Sequence, residues 1–400
     1  MDDAPSAAEK VADTRGGMRI AVVTETYPPE INGVAMTIRH MVEGLLRRGH
    51  QIQLVRPRQY AADSARLAPR YKELLVRSLP LPGYDGLRMG FSTRRTLSQL
   101  WQQRDRPEVV HVVTEGPLGR SALSAATRLH IPTSSDFHTN FDAYSVHYGF
   151  GLLKPVIGAY LKRFHNRADC TFVPTRELRV RLESEGYQHL LVVSRGVDTR
   201  LYNPARRSDQ LRASWGVPGD GLVVIHVGRL APEKNLPLVL AAFEQIRRHS
   251  ASSRLVLVGD GPLRASLQQR HPSHVFAGTR RGEDLAAHYA SGDVFLFPSS
   301  TETFGNVTIE AMASGLAVVA YDYAAGREHV EHGKTGLLAP FGDAPMFVRI
   351  ATELAADRAL IAKLRHNARV AAERIGWDEV VDCFDSALHG LVLRRMRDKH

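Results

Sequence analysis

Cysteine is almost missing from this chain: Cys170 and Cys383 are the two in 400 residues. There is no CxxC pair and no Cys/His cluster with metal-ligand spacing. The two thiols read as buried and free rather than bridged, which points to a reducing compartment. No apolar run approaches the roughly 18 residues of a membrane span. The opening stretch, MDDAPSAAEKVADTRGG, holds acids and small residues without an apolar core. It does not read as a secretory signal, and residues 1–17 are expected to be a disordered lead. Low-complexity tracts and short-period repeats are also missing. No DxD lies between apolar strands, so no metal and no cofactor is expected.

What is present is a long, basic, globular chain. Its length suggests two domains, and 44% hydrophobic with 24% charged residues suits a soluble enzyme. A net charge of +10 favours an anionic partner. Nucleic acid, an anionic lipid surface and a nucleotide-sugar all satisfy that, and bulk charge does not choose among them.

Order begins at Met18 with RIAVVTETYPP, a short β-branched run closed by a Pro-containing loop, as in a buried parallel strand. Asn32-Gly33-Val34 opens a helical pattern that ends at Gly49, and residues 50–56 form a second strand. Strands at 108–113, 131–137 and 170–174 alternate with helices at 121–130 and 175–186. Strands alternating with helices imply a doubly wound parallel sheet. Residues 195–220, rich in Arg, Pro and Gly, break the rhythm and read as an interdomain linker. The rhythm then restarts, with strands at 222–227, 255–258, 274–277, 294–298 and 317–320. Helices fall between them at 236–249, 283–290 and 306–314. The chain reads as two Rossmann-like α/β halves in tandem.

In open α/β sheets ligands bind beyond the carboxyl ends of strands. After 222–227 comes GRLAPEKN. Gly228 lets the backbone approach a ligand, and Arg229 and Lys234 can both reach a diphosphate, one as a planar fork and one as a point charge. Alone, this segment reads more readily as an ordinary solvated basic loop. After 294–298 comes SSTETFGNVTIE, in which Glu302 and Glu310 flank seven residues. Gly305 and Asn306 stand where a helix should start, and free N–H groups there suit a phosphate. One carboxylate could accept sugar hydroxyls and the other ribose hydroxyls. An isolated pair of glutamates would more often be surface and helix-dipole residues. LVLVGDGPLR imitates a dinucleotide fingerprint through Gly259 and Gly261, but Arg264 replaces the third glycine, so a nicotinamide cofactor is rejected.

In this order, the segments resemble the family 4 retaining glycosyltransferases of GT-B fold, which include bacterial lipid-directed mannosyl- and glucosyltransferases. The E-x7-E segment behind FLFPSS and the GRLAPEKN loop carry the resemblance, with support from NGV, RGVDTRLYNP and LVLVGDGP. It spans about Met18 to Ala387. It implies two Rossmann-like domains facing a deep interdomain cleft. The acceptor-binding domain would be residues 18–200 and the donor-binding domain 201–376, with a C-terminal helix at 377–400 crossing back.

The resemblance also implies roles. Arg229 and Lys234 would neutralise the departing diphosphate, in place of a divalent cation. Glu302 would bind sugar hydroxyls and Glu310 the ribose. Gly228, Phe304, Gly305, Asn306 and Val307 would line the donor pocket, and Gly33 would let the N-terminal loop approach the phosphates. His138, usually a structural residue at such a strand end, would sit near the transferred sugar. Retention is implied, with the departing diphosphate taking the acceptor proton on the same face, because no carboxylate nucleophile is apparent.

The acceptor side has fewer motifs but a clear charge bias. Between Arg39 and Arg106 there are 14 Lys/Arg and five Asp/Glu, and from Ala143 to Ala168 there is no acid. GLLKPVIGAYLKRFHNR, with Lys154, Lys162, Arg163 and Arg167, and the tail LVLRRMRDKH are basic and amphipathic. Such segments suit either an anionic membrane surface or an ordinary helix packed on a sheet. FHTNF followed by YSVHYG resembles lipid-directed members of the family. The expected partners are a nucleotide-sugar donor of the UDP-glucose or GDP-mannose class and a membrane glycolipid or diacylglycerol acceptor. A soluble or polysaccharide acceptor is the alternative. The expected location is cytoplasmic, with peripheral contact at the inner face of the cytoplasmic membrane left open. An epimerase of the same fold would need no acceptor and is disfavoured by the intact Glu302–Glu310 segment. No recognition helix, RNP strand or zinc module organises the charge, so no nucleic-acid partner is expected.

Overall fold

The computed structural model describes residues 17–30, 32–80, 88–102, 106–138, 154–219 and 221–397. The FHTNF and YSVHYG segments lie largely outside this range, as do most of the N-terminal lead, the Lys154 side chain and the last three residues. Chain packing divides the molecule into two compact units. One runs to Ser134 and takes in Leu388 onward; the other spans Ser135–Ala387.

Nine strands form the first sheet: β1 (Arg19–Val23), β2 (Gln51–Pro57), β3 (Leu67–Ala68), β4 (Tyr71–Pro80), β5 (Arg88–Phe91), β6 (Val109–Val112), β7 (Thr133–Asp136), β8 (Cys170–Val173) and β9 (Leu190–Val192). Their order is β3-β4-β2-β1-β6-β7-β8-β9, with β5 on β4. β1 pairs in parallel with β2 and β6, while β3 and β5 pair antiparallel with β4. That antiparallel edge is absent from the sequence reading, which passed from the strand at 50–56 to the one at 108–113. The helix expected at 121–130 is observed as Pro117–Arg128. It starts a turn earlier because Pro117 suits the first helical position and because the Glu25 carboxylate accepts the Leu118 N–H at 3.0 Å.

Helix Gly33–Arg47 begins where the sequence places it. Asn32 caps it, accepting from the Ala35 N–H at 2.8 Å. The basic segment near residue 160 is a helix, Lys154–His165. It buries Leu161, Phe164 and His165 and leaves Val156 and Tyr160 exposed.

Six strands form the second sheet: β10 (Val223–Val227), β11 (Arg254–Val258), β12 (Val275–Gly278), β13 (Val294–Phe297), β14 (Ala317–Tyr321) and β15 (Gly336–Ala339). Their order is β12-β11-β10-β13-β14-β15, all parallel. Every strand residue from Val223 to Val227 is buried, as a parallel sheet covered on both faces requires. Alternate residues feed two cores. Val224, Leu257 and Leu296 pack under helix Leu236–His249. Ile225, Val256 and Phe295 pack with Ile309 and Met312 of helix Asn306–Ala313.

Residues 195–220 are more ordered than a linker. They contain a 3₁₀ turn, Pro204–Arg206, and a helix, Asp209–Ser214. A six-residue helix is too short to show an apolar period, and polar contacts hold it. Ser208 caps it, and the buried Arg212 reaches Asp293 at 3.1 Å. Arg207 and Arg365 bind the same carboxylate at 2.9 and 3.1 Å, and the Val223 N–H donates to it at 2.8 Å. One buried aspartate thus fastens the segment beneath the second sheet.

Candidate active site

The order of the second sheet reverses between β10 and β13. Such a switch point opens a crevice beyond the strand ends, because the flanking connections leave to opposite sides. The two loops singled out in the sequence emerge here side by side, one from β10 and one from β13.

The loop after β10 is shaped by close backbone approaches. A Cβ at Gly259 would fall 1.9 Å from the Gly228 carbonyl oxygen, and one at Gly261 would fall 2.5 Å from that of Leu230. Only glycine allows these approaches. Leu230 N–H donates to Asp260 O and Leu263 N–H to Leu230 O, each at 2.9 Å. The glycines of LVLVGDGP therefore hold GRLAPEKN in place and do not form a dinucleotide turn. Beneath the loop, His226 is fully buried with Nδ1 3.0 Å from Leu296 O. The carbonyl accepts, so Nδ1 carries the proton. Burial pushes this imidazole down to about 4, with Lys234 adding to the effect, and it stays neutral.

The two loops are stitched at Glu233. Its carbonyl accepts from Ser300 Oγ and from Ser300 N–H, each at 3.1 Å, with Ser299 Oγ 3.2 Å away. This brings Lys234 onto Glu302, Nζ against Oε1, and Ser299 Oγ donates to the same oxygen at 2.7 Å. Lys234 also lies 5.4 Å from the Phe297 ring centroid. Arg229 is largely exposed, with Nη1 3.9 Å from the buried Glu233 carboxylate.

Gly305 sits before helix Asn306–Ala313 with φ +94°, and no side chain caps that end. Asn306 and Val307 therefore present helix-start N–H groups. Phe304 is buried edge-on against His329. Together with Glu302 and Tyr323 it lines a narrow recess. Tyr323 Oη donates to Glu302 O at 2.8 Å. Glu310, within that helix, has other partners. Tyr289 Oη donates to its Oε2 at 2.9 Å, and burial pushes its carboxyl up to about 7, against hydrogen bonds from Tyr289 and Tyr202.

His138 follows β7. Arg195 Nη2 donates to its Nδ1 at 3.0 Å, so the ring proton lies on Nε2, 2.9 Å from Asp136 Oδ2. Its carbonyl accepts from Thr303 Oγ1 at 2.7 Å, which ties it to the Glu302 loop. Gly33 belongs to the other compact unit, where it opens the first helix.

Arg229, Lys234, Glu302, Phe304, Gly305 and Asn306 thus gather at one switch point. Ser299, Tyr323, Arg195, Asp136, Tyr202 and Tyr289 are partners that the sequence reading missed. Ser299 had a local signal, three residues before Glu302. Asp136 stands two residues before His138, and Arg195 and Tyr202 lie within RGVDTRLYNP, though nothing in that segment says what they touch; Tyr289 and Tyr323 had no signal.

A switch-point crevice edged by two cations, a carboxylate and an open helix start is where an open α/β sheet takes an anionic ligand. The chain belongs to the family 4 glycosyltransferases of GT-B fold. The family model "Glycosyltransferase Family 4" matches residues 31–201, and "Glycosyl transferases group 1" matches residues 221–357. As an enzyme it is a hexosyltransferase. It is 36% identical to a GDP-mannose-dependent alpha-mannosyltransferase of Mycobacterium tuberculosis over 82% of this chain and 85% of that one. It is 26% identical to an alpha-monoglucosyldiacylglycerol synthase of Acholeplasma laidlawii over 89% and 93%. Among solved structures, sucrose-phosphate synthase of Thermosynechococcus elongatus shares the fold. Its TM-score is 0.76 at 19% identity, covering 95% of this chain and 100% of that one.

Proposed function

We propose that the enzyme moves a hexose from a nucleotide-sugar to a hydroxyl of a membrane glycolipid or diacylglycerol, with retention of configuration. The observation that carries the donor half is the meeting of Lys234 with Glu302 beside the open helix start at Gly305. Glu302 accepts hydroxyls of the sugar. Lys234 and Arg229, with the Asn306 and Val307 N–H groups, hold the diphosphate as its charge grows. The bond from the anomeric carbon to the diphosphate oxygen breaks, and the acceptor oxygen adds to the same face. The acceptor proton passes to the departing diphosphate. No divalent cation enters this scheme, so EDTA is expected to leave turnover intact. Loss with EDTA and recovery with Mg²⁺ would overturn that part.

GDP-mannose is the first donor to try, by likeness to the mannosyltransferase. A lipid acceptor is supported by likeness to the glucosyldiacylglycerol synthase. The basic, amphipathic character of 154–167 and of the C-terminal tail supports peripheral attachment to an anionic membrane. No helix among the described residues is long and apolar enough to cross a membrane.

The test is nucleotide release from a donor panel with and without bacterial lipid extract, followed by mass spectrometry of the lipid phase. Lipid-dependent release with a hexose gained by the lipid is expected. Release only with a soluble sugar would replace the acceptor. Release with none would overturn the donor assignment.

A further inference from the structure

The segment RGVDTRLYNP, conspicuous in the sequence, has no part in the scheme above. The structure gives it one. Asp198 Oδ1 accepts from the Arg200 and Leu201 N–H groups, each at 3.0 Å, and Tyr202 N–H donates to Asp198 O at 2.8 Å. The Arg369 guanidinium then donates to Thr199 O at 3.1 Å, Tyr202 O at 2.9 Å and Ala313 O at 2.8 Å. Ala313 ends the helix that bears Glu310. The backbone under Tyr202 is thereby pinned to that helix.

The Tyr202 and Tyr289 rings meet edge to face at 5.6 Å. Tyr289 is fully buried on helix Gly282–Ala290, with its phenol on Glu310 Oε2. Tyr202 and Tyr289 are the titratable groups that act on Glu310, and Asp198 faces Tyr202 from its own loop. Glu310 itself is only partly buried.

We propose that Tyr202 and Tyr289 are positioning residues for Glu310, orienting its carboxylate toward the vicinal hydroxyls of the donor ribose, and that they set the preference for ribonucleotide over 2′-deoxyribonucleotide donors. This rests on the donor-site reading of Glu310 given above. An ionised carboxylate offers about four lone-pair positions and no donor. The Tyr289 phenol occupies one of them, and the Tyr202 ring, edge to face on Tyr289, holds that phenol in place. The remainder can accept from two adjacent hydroxyls. Removing one ribose hydroxyl leaves a desolvated charged acceptor unpaired, which is the costly mismatch in recognition. Without the phenols the carboxyl is free to turn, and burial favours its protonated form, which brings a donor where an acceptor is needed.

The test is calorimetric titration of the full chain with GDP and UDP and with their 2′-deoxy counterparts. The wild type is expected to prefer the ribo form by about tenfold or more. Y289F and Y202F are expected to lose most of that ratio while their affinity for the deoxy form barely moves. Raising the pH by about two units should restore part of the ratio in Y289F as Glu310 ionises, a response that a purely structural tyrosine would not produce. E310Q separates the two levels of the claim. If E310Q keeps the preference, the donor-site reading of Glu310 fails. If E310Q loses it and both phenylalanine variants keep it, the positioning role is overturned. Melting curves identify a variant that has not folded, and Y202F, on a partly exposed ring, stands if Y289F does not.

Discussion

Lys234 Nζ rests against Glu302 Oε1 although 68 residues separate the two along the chain. Each is the other's counter-charge before substrate arrives, and each is assigned to a different part of the donor. Lys234→Ala and Glu302→Ala are each expected to lower kcat/KM by at least about a hundredfold with circular dichroism unchanged. The double variant should cost little more than the worse single, because residues acting as a unit are not additive. Near-normal turnover in either single variant would end the assignment.

Glu310 gives a pH dependence with a definite sign. Its carboxyl is raised from 4.5 to about 7, so the ionised form needed to accept ribose hydroxyls is lost as the pH falls through about 7. Donor KM should rise there, with kcat changed less. Stability runs the opposite way. A raised carboxyl stabilises the fold below its unfolded value, and that contribution disappears as the pH climbs through about 7. E310Q lacks this loss. Its melting temperature relative to wild type should therefore increase between pH 5 and pH 8, by the equivalent of at most about 3 kcal/mol. A flat difference would contradict the shift.

Asp293 neutralises Arg207, Arg212 and Arg365 at once. Removing it leaves three guanidinium groups crowded without a counter-charge, one of them buried. Asp293→Ala is expected to cost about 3–5 kcal/mol of stability, measured by urea unfolding. Asp357→Ala, which removes an exposed helix cap, should cost about 1 kcal/mol. Comparable losses would mean that the cluster is not the clamp described.

Gly259→Ala places a methyl 1.9 Å from the Gly228 carbonyl oxygen, at φ +135°. The loop carrying Arg229 and Lys234 must shift, at a cost of about 2–3 kcal/mol, and nucleotide affinity should fall with it. Gly158→Ala, with nothing within 4 Å, should be neutral or slightly stabilising. Unchanged nucleotide affinity in G259A would show that the loop tolerates the displacement.

Much of this was legible in the chain. Apolar runs such as LVVIHV and VFLF, short and alternating with helical patterns, read as strands buried on both faces, and the helix after Leu236 was placed at its observed ends. GRLAPEKN and the Glu302–Glu310 segment were readable because each is contiguous and follows a strand. The antiparallel edge at 67–91 was not, because β3 holds only two residues and β4 mixes buried and exposed positions without strict alternation. Helix Asp209–Ser214 was missed because buried ion pairs hold it and no apolar face marks it.

The sequence alone determined the βαβ rhythm and which loops would carry charge, since period and spacing are local properties of the chain. Tertiary structure decided what those charges touch. Lys234 meets Glu302 only because β10 and β13 lie side by side at the switch point. His138 carries its proton on Nε2 only because Arg195, 57 residues away, donates to Nδ1. Glu310 rises to about 7 only because the fold buries its carboxyl, against the hydrogen bonds of two tyrosines from other segments that hold it down. Desolvation and hydrogen-bond direction depend on what surrounds a side chain in space, and strand order, which brings distant segments together, is written in no single stretch of the chain.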